Sequence, residues 1–300
     1  MKKILLLTTL VLYGSITFSQ DLLSMLDEQS DPPINYVEGT FKSVRLVNGY
    51  SSEVAGKNDL IFSISHRFGR LRGGGYEVYG LDESTIRLGF EYGLNDRISL
   101  GIGRSVFDKL FDGFVKIKLL RQKSGGSSFP VSITLMEGMQ YKSLRWVRPE
   151  LDYPETARLS YVHELFIARK FNKWFSAQLV PVIVHRNWVT EKEEQNIVGA
   201  VGIGGVFTVN KWLGINAEYY HLLPGHTADN YENSLALGVE IETGGGHVFQ
   251  VHLSNSTGMT EKNFIPENKG SWLDGDVALG FNLIRVFNLD KKPNKRKRKK

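Results

Sequence analysis

Apolar and polar residues alternate along most of this chain. Within residues 84–95, Ile86, Leu88, Phe90 and Tyr92 alternate with polar residues or glycine. Because successive side chains of a β-strand point to opposite faces, this pattern predicts a strand with one apolar and one polar face. The same pattern recurs and predicts twelve main strands, at residues 58–68, 84–94, 97–106, 110–121, 129–142, 157–170, 174–188, 196–209, 211–223, 233–243, 247–256 and 272–287.

The connections between these strands alternate between short and long. The short set contains residue types that tolerate a left-handed backbone, at Asn95-Asp96, Asn172-Lys173, Asn210-Lys211 and residues 244–246, with a longer member at 122–128. The other set is mostly longer: residues 69–83, 144–155, 189–195, 224–232 and 256–270, with 106–109 as a short exception. Outer-membrane barrels have short periplasmic turns and longer outer loops. The pattern therefore predicts an all-β, single antiparallel transmembrane barrel of about twelve strands with periplasmic termini; ten or fourteen strands are the alternatives.

The two faces of the predicted strands differ in charge. Outward positions such as Val115, Leu237 and Val277 are apolar, which avoids the roughly 2–4 kcal/mol cost of a lipid-facing Lys or Arg at the midplane. Glu137 falls on the outward parity, which predicts a bulge or a strand end there. Residues 159–169 carry charge on both faces and are ambiguous. The predicted lumen-lining residues are Arg67, Arg87, Glu91, Lys116, Lys118, Glu218, Glu240, Glu242, Gln250 and His252.

The ends of the chain predict export and a division into segments. Residues 1–19 have the three parts of a secretory signal: Lys2 and Lys3, an apolar stretch at 4–13, and small residues before Gln20. Residues 20–56 form a periplasmic N-terminal segment or plug, in which 41–47 is either a plug or an extra strand. Residues 57–288 form the barrel, and residues 289–300 form a basic periplasmic tail.

Charge and cysteine content narrow the class of protein. Eight of the positive residues lie in 291–300 and two in the signal, so removing these ten charges changes the formal net charge from +5 to −5. An acidic body does not favour nucleic-acid binding. The tail is either solvated or contacts an anionic periplasmic partner. The chain has no cysteine, which excludes disulfides, and no segment apolar enough for a spanning helix.

Nine stretches in order along the chain resemble an uncharacterised β-barrel family from Bacteroidota, classed as a domain of unknown function. They are residues 41–49 (FKSVRLVNG), 64–69 (ISHRFG), 86–96, 100–105, 110–121, 159–171, 181–188 (PVIVHRNW), 238–249 and 271–287. The resemblance implies an outer-membrane barrel in contact with lipid, and it implies no reaction.

One short motif suggests chemistry. His252 and Ser254 lie two apart on a strand, so their side chains share a face, as a histidine base and a serine nucleophile do in outer-membrane phospholipase A. Glu240 or Asn255 are candidates to orient the histidine. In the predicted register both side chains point inward, away from bulk lipid. This favours the interpretation that they are ordinary polar residues of the lumen. The seven histidines lack metal-ligand spacing, and the glycine-rich stretches lie in strands without a following helix, so no metal or cofactor is predicted.

The leading functional prediction is a non-enzymatic barrel located in the outer membrane after export. Small barrels of about eight strands are filled by their own side chains, and barrels of about 16–18 strands enclose an open channel. Twelve strands lie between these numbers, so the barrel is a narrow pore, a binding barrel or a structural barrel. Mixed charges inside favour mutual pairing or a narrow pore. The aromatic residues near strand ends, Trp146 and Trp188 among them, are typical of interfacial girdles. A lipid hydrolase using His252 and Ser254, and a soluble periplasmic ligand-binding β-protein, are the alternatives; the solute and the oligomeric state are not determined.

Overall fold

Twelve antiparallel strands form a closed barrel, in which each strand pairs with its neighbours in the chain and the last pairs with the first. The structure is a computed structural model that describes residues 33–150, 152–190, 192–225, 227 and 230–290. This architecture confirms the predicted all-β barrel and excludes ten or fourteen strands. The strands are β1 (Asp59–Arg70), β2 (Ser84–Asn95), β3 (Ile98–Ser105), β4 (Leu110–Leu120), β5 (Ser132–Lys142), β6 (Leu159–Lys170), β7 (Phe175–Arg186), β8 (Ile197–Thr208), β9 (Leu213–Leu222), β10 (Ser234–Thr243), β11 (His247–Ser254) and β12 (Ala278–Asn288).

The two faces of the strands separate apolar from charged side chains as period-two geometry requires. On β2, Leu88 is 41% exposed on the outside, whereas its neighbour Arg87 is 1% exposed on the inside. Val115 and Lys116 on β4 show the same division, and Leu237 on β10 is also exposed. The apolar face of the sheet is therefore the outer face of the barrel.

Short turns lie at one end of the barrel, the turn end, and longer connections lie at the other, the loop end. Three of the turns use the same local hydrogen bonds. The side-chain oxygens of Asn95, Asn172 and Asn210 each accept hydrogen bonds from the backbone N–H groups two and three residues later, at 2.7–3.0 Å. An Asn side chain thereby replaces the missing ladder partner, which explains why these turns were recognisable in the sequence.

Two details of the predicted register are wrong. Glu137 lies in an uninterrupted part of β5, paired with Val115 and His163, so there is no bulge or strand end at this position. Its carboxylate points outward and contacts Nδ1 of His163 on β6, and this partner makes the exposed position tolerable. β12 begins at Ala278 rather than at residue 272, and Val277, predicted to face lipid, is 7% exposed in the preceding loop.

Residues 33–36 and 122–130 form a small compact unit of their own, in which Asn35–Tyr36 pairs antiparallel with Lys123–Ser124. The other unit comprises residues 37–121 and the described residues from 131 onward. Helices are minor in the described part of the chain, with one turn of α-helix, α1 (Glu261–Phe264), and 3₁₀ segments at Leu71–Gly80, Phe107–Lys109 and Glu155–Arg158. No helix of the described chain is long and apolar enough to cross a membrane. The predicted signal at 1–19 and residues 291–300 of the predicted tail lie outside the described residues.

Candidate functional site

The interior of the barrel contains a hairpin made by residues 40–55, named here the inner hairpin. Its two arms are joined by hydrogen bonds from Leu46 N to Gly49 O (3.0 Å) and from Ser51 N to Val44 O (2.8 Å). All of its residues except Lys42, Glu53 and Val54 are buried. Both of its ends lie at the turn end, because neighbouring backbone groups bond to turn-end residues there. The predicted segment at 41–47 thus lies inside the barrel and adds no strand to its edge.

Glu218 on β9 holds the tip of the inner hairpin. Its carboxylate accepts hydrogen bonds from three consecutive backbone N–H groups, those of Val47 (3.2 Å), Asn48 (2.6 Å) and Gly49 (3.2 Å). The approach at this point is so close that a Cβ atom on Gly49 would overlap the hydroxyl of Tyr220. A negative charge surrounded by backbone donors is a strong, directional anchor for the hairpin.

Five amide or hydroxyl side chains, one on β9 and four on other strands, also bond the backbone of the inner hairpin. Each donates to a carbonyl group that has no partner within the hairpin, which satisfies a buried polar group. The bonds run from Asn216 to Leu46 O (2.7 Å), Asn282 to Val47 O (2.9 Å), Gln178 to Tyr50 O (2.8 Å), Gln250 to Arg45 O (3.1 Å) and Thr134 to Ser52 O (2.8 Å), with Asn216 on β9 beside Glu218. The polar inner face therefore binds a peptide segment of its own chain.

Buried charges at the hairpin are compensated in pairs. Arg87 Nε lies 2.9 Å from Asp112 Oδ1, and Arg87 Nη2 donates to the Tyr50 hydroxyl at 3.1 Å. Lys116 lies 3.7 Å from Glu91. The guanidinium of Arg45 lies 4.0 Å from the centre of the Tyr50 ring. Burial raises the pKa of Tyr50, so its hydroxyl stays neutral among these cations.

A second insert fills the interior from the loop end. Residues 256–270, named here the cap loop, contain α1 and bury the side chains of Met259, Phe264 and Ile265 almost completely. The Phe264 ring packs at 5.1 Å against that of Tyr220. Both rings belong to a buried apolar cluster that includes inward side chains of β5–β8 and Tyr50 of the inner hairpin, namely Met136, Val162, Phe166, Val180, Val182 and Val184. One side of the interior is therefore apolar, which the sequence analysis did not predict.

Glu261 of α1 is buried beside this cluster. Gln140 Nε2 donates a hydrogen bond to its carboxylate at 2.8 Å. Burial raises the pKa of Glu261, and the nearby Arg45 lowers it in part. A cavity of about 10 Å³ lies between the inner hairpin and the wall, beside Tyr50 and Arg87, and is large enough for about one water molecule.

The predicted lumen-lining residues lie on the inner face, although they mostly contact the inner hairpin or each other. Arg67, Arg87, Glu91, Lys116, Glu218, Glu240, Gln250 and His252 are all at most 4% exposed. Lys118 and Glu242 lie near the turn end, where they contact Glu53 (2.9 Å) and Lys42 (3.6 Å) of the hairpin. Arg45 and Asn48 of the inner hairpin, which contact these residues or their neighbours, were not predicted from the sequence. The Asn48-Gly49 pair could have indicated the hairpin, because Asn-Gly is typical of tight β-turns.

His252 and Ser254 do not form a catalytic arrangement. The Ser254 hydroxyl accepts hydrogen bonds from Asn48 Nδ2 (2.9 Å) and from the backbone of Ser256 (3.1 Å). Neither ring nitrogen of His252 has a hydrogen-bond partner within the described chain, so neither Ser254, Glu240 nor Asn255 orients it. Among the described residues, no three acidic or histidine side chains come together as metal ligands.

The chain is similar to known membrane barrels. Residues 41–287 match the family described as "Membrane bound beta barrel domain (DUF5777)". No curated protein matches the chain. Similar solved structures include the NanC porin (7% identity, TM-score 0.47, covering 76% of this chain and 98% of that chain). An outer-membrane channel from Pseudomonas putida F1 (13% identity, TM-score 0.46, covering 79% and 98%) is another. Because the family match extends over most of the sequence, the chain belongs to this family of membrane-bound β-barrel domains.

Proposed function

We propose that the protein is a non-enzymatic outer-membrane barrel that forms a narrow pore, held shut by two inserts of its own chain, the inner hairpin and the cap loop. The apolar outer face contacts lipid. The turn end faces the periplasm, as short turns do in this class of protein. The inner hairpin enters from that side, so the exported N-terminal segment reaches the interior without crossing the membrane again.

The observation that carries this proposal is the set of bonds between the wall and the backbone of the hairpin. Through Glu218, Asn216 and Gln178 the wall bonds the backbone of a segment that belongs to no strand of the barrel, so this segment can leave while the wall stays closed. Removing the hairpin would expose inward charges of both signs along a polar passage. Because these charges are mixed, we expect an open pore with weak preference between anions and cations.

Conductance in planar bilayers tests the proposal. The full chain should show rare, brief openings. A variant in which short Gly-Ser linkers replace residues 40–55 and 257–269 should conduct steadily, because both inserts that fill the interior are then removed. Heat-modifiable migration on gels serves as the check that each variant is folded.

A folded deletion variant that conducts no more than the full chain would overturn the proposal. Because the deletion removes a large part of the interior, a milder variant is paired with it. Gly49→Val enlarges the hairpin tip against Tyr220, on which Phe264 of the cap loop also packs. It should therefore loosen both inserts and raise the open fraction while leaving the barrel wall intact. No specific observation favours the lipid hydrolase, because Ser254 binds Asn48 instead of His252.

A further inference from the structure

A cavity of about 510 Å³ opens at the loop end, separate from the inner hairpin. Three aromatic rings line it and contact one another. The rings of Trp146 and Tyr153 stack with centroids 4.2 Å apart, and Trp188 meets Tyr153 edge-on at 5.0 Å. The volume lies within the roughly 300–1,000 Å³ of small-molecule sites. Trp146 is covered by Tyr153 and by Arg158, whereas Trp188 is 44% exposed and supplies an apolar surface against which a small ring compound can pack.

The cavity is also strongly positive. Its lining contains five cationic side chains and one carboxylate, namely Lys142, Arg145, Arg148, Arg158, Lys262 and Glu267. Lys142 and Lys262 already have partners, because they pair with Asp108 (3.0 Å) and Glu267 (2.6 Å). Arg145 and Arg148 are exposed, and no residue of the described chain forms an ion pair or hydrogen bond with them. Two guanidinium groups are thus available for an anion.

This arrangement differs from a girdle of interfacial aromatic residues, which was the sequence-based interpretation of Trp146 and Trp188. In a girdle the rings are spread around the barrel at the lipid boundary. Here they contact each other and share a cavity with Lys262 and Glu267 of the cap loop, above the filled interior. Arg158 lies 4.8 Å from the centre of the Trp146 ring and donates to the carbonyl of Leu144 at 2.7 Å, which holds the loop in place.

We propose that this cavity binds a small anionic sugar, either a sugar carboxylate or a sugar phosphate. A pyranose ring has apolar faces and polar edges, and both kinds of surface are present in the lining. The exposed ring of Trp188 packs against the face of the sugar. Arg145 and Arg148 bind the carboxylate or phosphate, for which the planar guanidinium is well suited.

Calorimetric titration of the full-length protein in detergent micelles tests this proposal. The probes are galacturonate and glucose 6-phosphate. Galactose and glucose are their neutral counterparts, and inorganic phosphate is the anion without a sugar ring. At least one anionic sugar should bind at least about tenfold more tightly than its neutral counterpart and than phosphate alone, because charge-assisted hydrogen bonds and ring packing both contribute. Because these two probes also differ in configuration at C4, glucuronate is titrated beside glucose 6-phosphate, and this pair identifies the anionic group.

The double variant Arg145→Ala/Arg148→Ala should weaken this binding by about tenfold or more. Its matched control is Lys173→Ala/Lys211→Ala, which removes two cations that lie beside Trp174 and Trp212 at the turn end. The control should bind as the unmodified protein does. The proposal is overturned if no anionic sugar binds below about 10 mM, if galactose and glucose bind equally well, if phosphate alone binds equally well, or if the two double variants behave alike. Failure here leaves the pore proposal standing, because the inner hairpin contributes nothing to the cavity.

Discussion

Replacing Glu218 by Gln should release the tip of the inner hairpin without changing the shape of the wall. The carboxylate accepts hydrogen bonds from the N–H groups of Val47, Asn48 and Gly49. A Gln side chain has one acceptor oxygen in place of two. The NH₂ group of Gln would face backbone N–H groups, so donors would oppose donors. The negative charge that strengthens all three bonds would also be lost.

The expected cost follows from these three bonds. Hydrogen bonds to a charged group contribute about 1.5–3 kcal/mol, whereas neutral ones contribute about 1 kcal/mol. Losing the difference at three N–H groups should disfavour the docked hairpin by about 2–4 kcal/mol. Because 1.4 kcal/mol corresponds to a factor of ten, the population of undocked hairpins should rise about 30- to 700-fold.

Amide hydrogen exchange of residues 46–50 measures this population directly, in protein reconstituted into lipid. Their exchange should accelerate by about the same factor, since exchange follows the free energy of local opening. The amides of β9 should stay protected. In bilayer recordings the open fraction should rise in parallel.

Glu240→Gln provides the matched control. Glu240 on β10 is as deeply buried as Glu218. Among the described residues it accepts a hydrogen bond from Gln250 (3.4 Å), and it accepts none from the backbone of the hairpin. In the Glu240→Gln variant, amide exchange of residues 46–50 should match that of the unmodified protein. Unchanged protection in a folded Glu218→Gln protein, or equal acceleration in both variants, would refute the anchoring role of Glu218.

Three further predictions concern the wall, a turn and the cap loop. The double variant Glu137→Leu/His163→Leu should be as stable to urea in lipid vesicles as the unmodified protein, or more stable. Either single leucine variant should lose about 1–3 kcal/mol of stability, because it leaves one polar partner facing lipid. A double variant less stable than both single variants would contradict this. Asn210→Ala removes the acceptor of two turn N–H groups and should cost about 1–2 kcal/mol in the same assay; a cost near zero would show that solvent replaces the side chain. Because burial raises the pKa of Glu261, docking of the cap loop is most stable below the ordinary carboxyl pKa and weakens as pH rises to the raised value. Glu261→Gln should therefore make the pH dependence of exchange at residues 259–265 shallower, and an unchanged slope would count against it.

The strands and their two faces were predictable because they depend on local geometry. Leu88 and Arg87 are adjacent and must point to opposite sides of a strand, whatever the rest of the chain does. The Asn-containing turns at Asn172 and Asn210 are equally local, since each side chain bonds backbone groups two and three residues away. Glu137 was misread because its compensating partner, His163, lies on the next strand.

The sequence by itself determined that this chain forms an antiparallel barrel with its apolar face outside, because alternation and turn chemistry act over a few residues. Only the tertiary structure decided what fills the interior. Glu218 meets Asn48 from 170 residues away, and Phe264 meets Tyr220 across the same interior. Contacts of this kind depend on which parts of the closed wall face each other, and no local pattern in the chain records that.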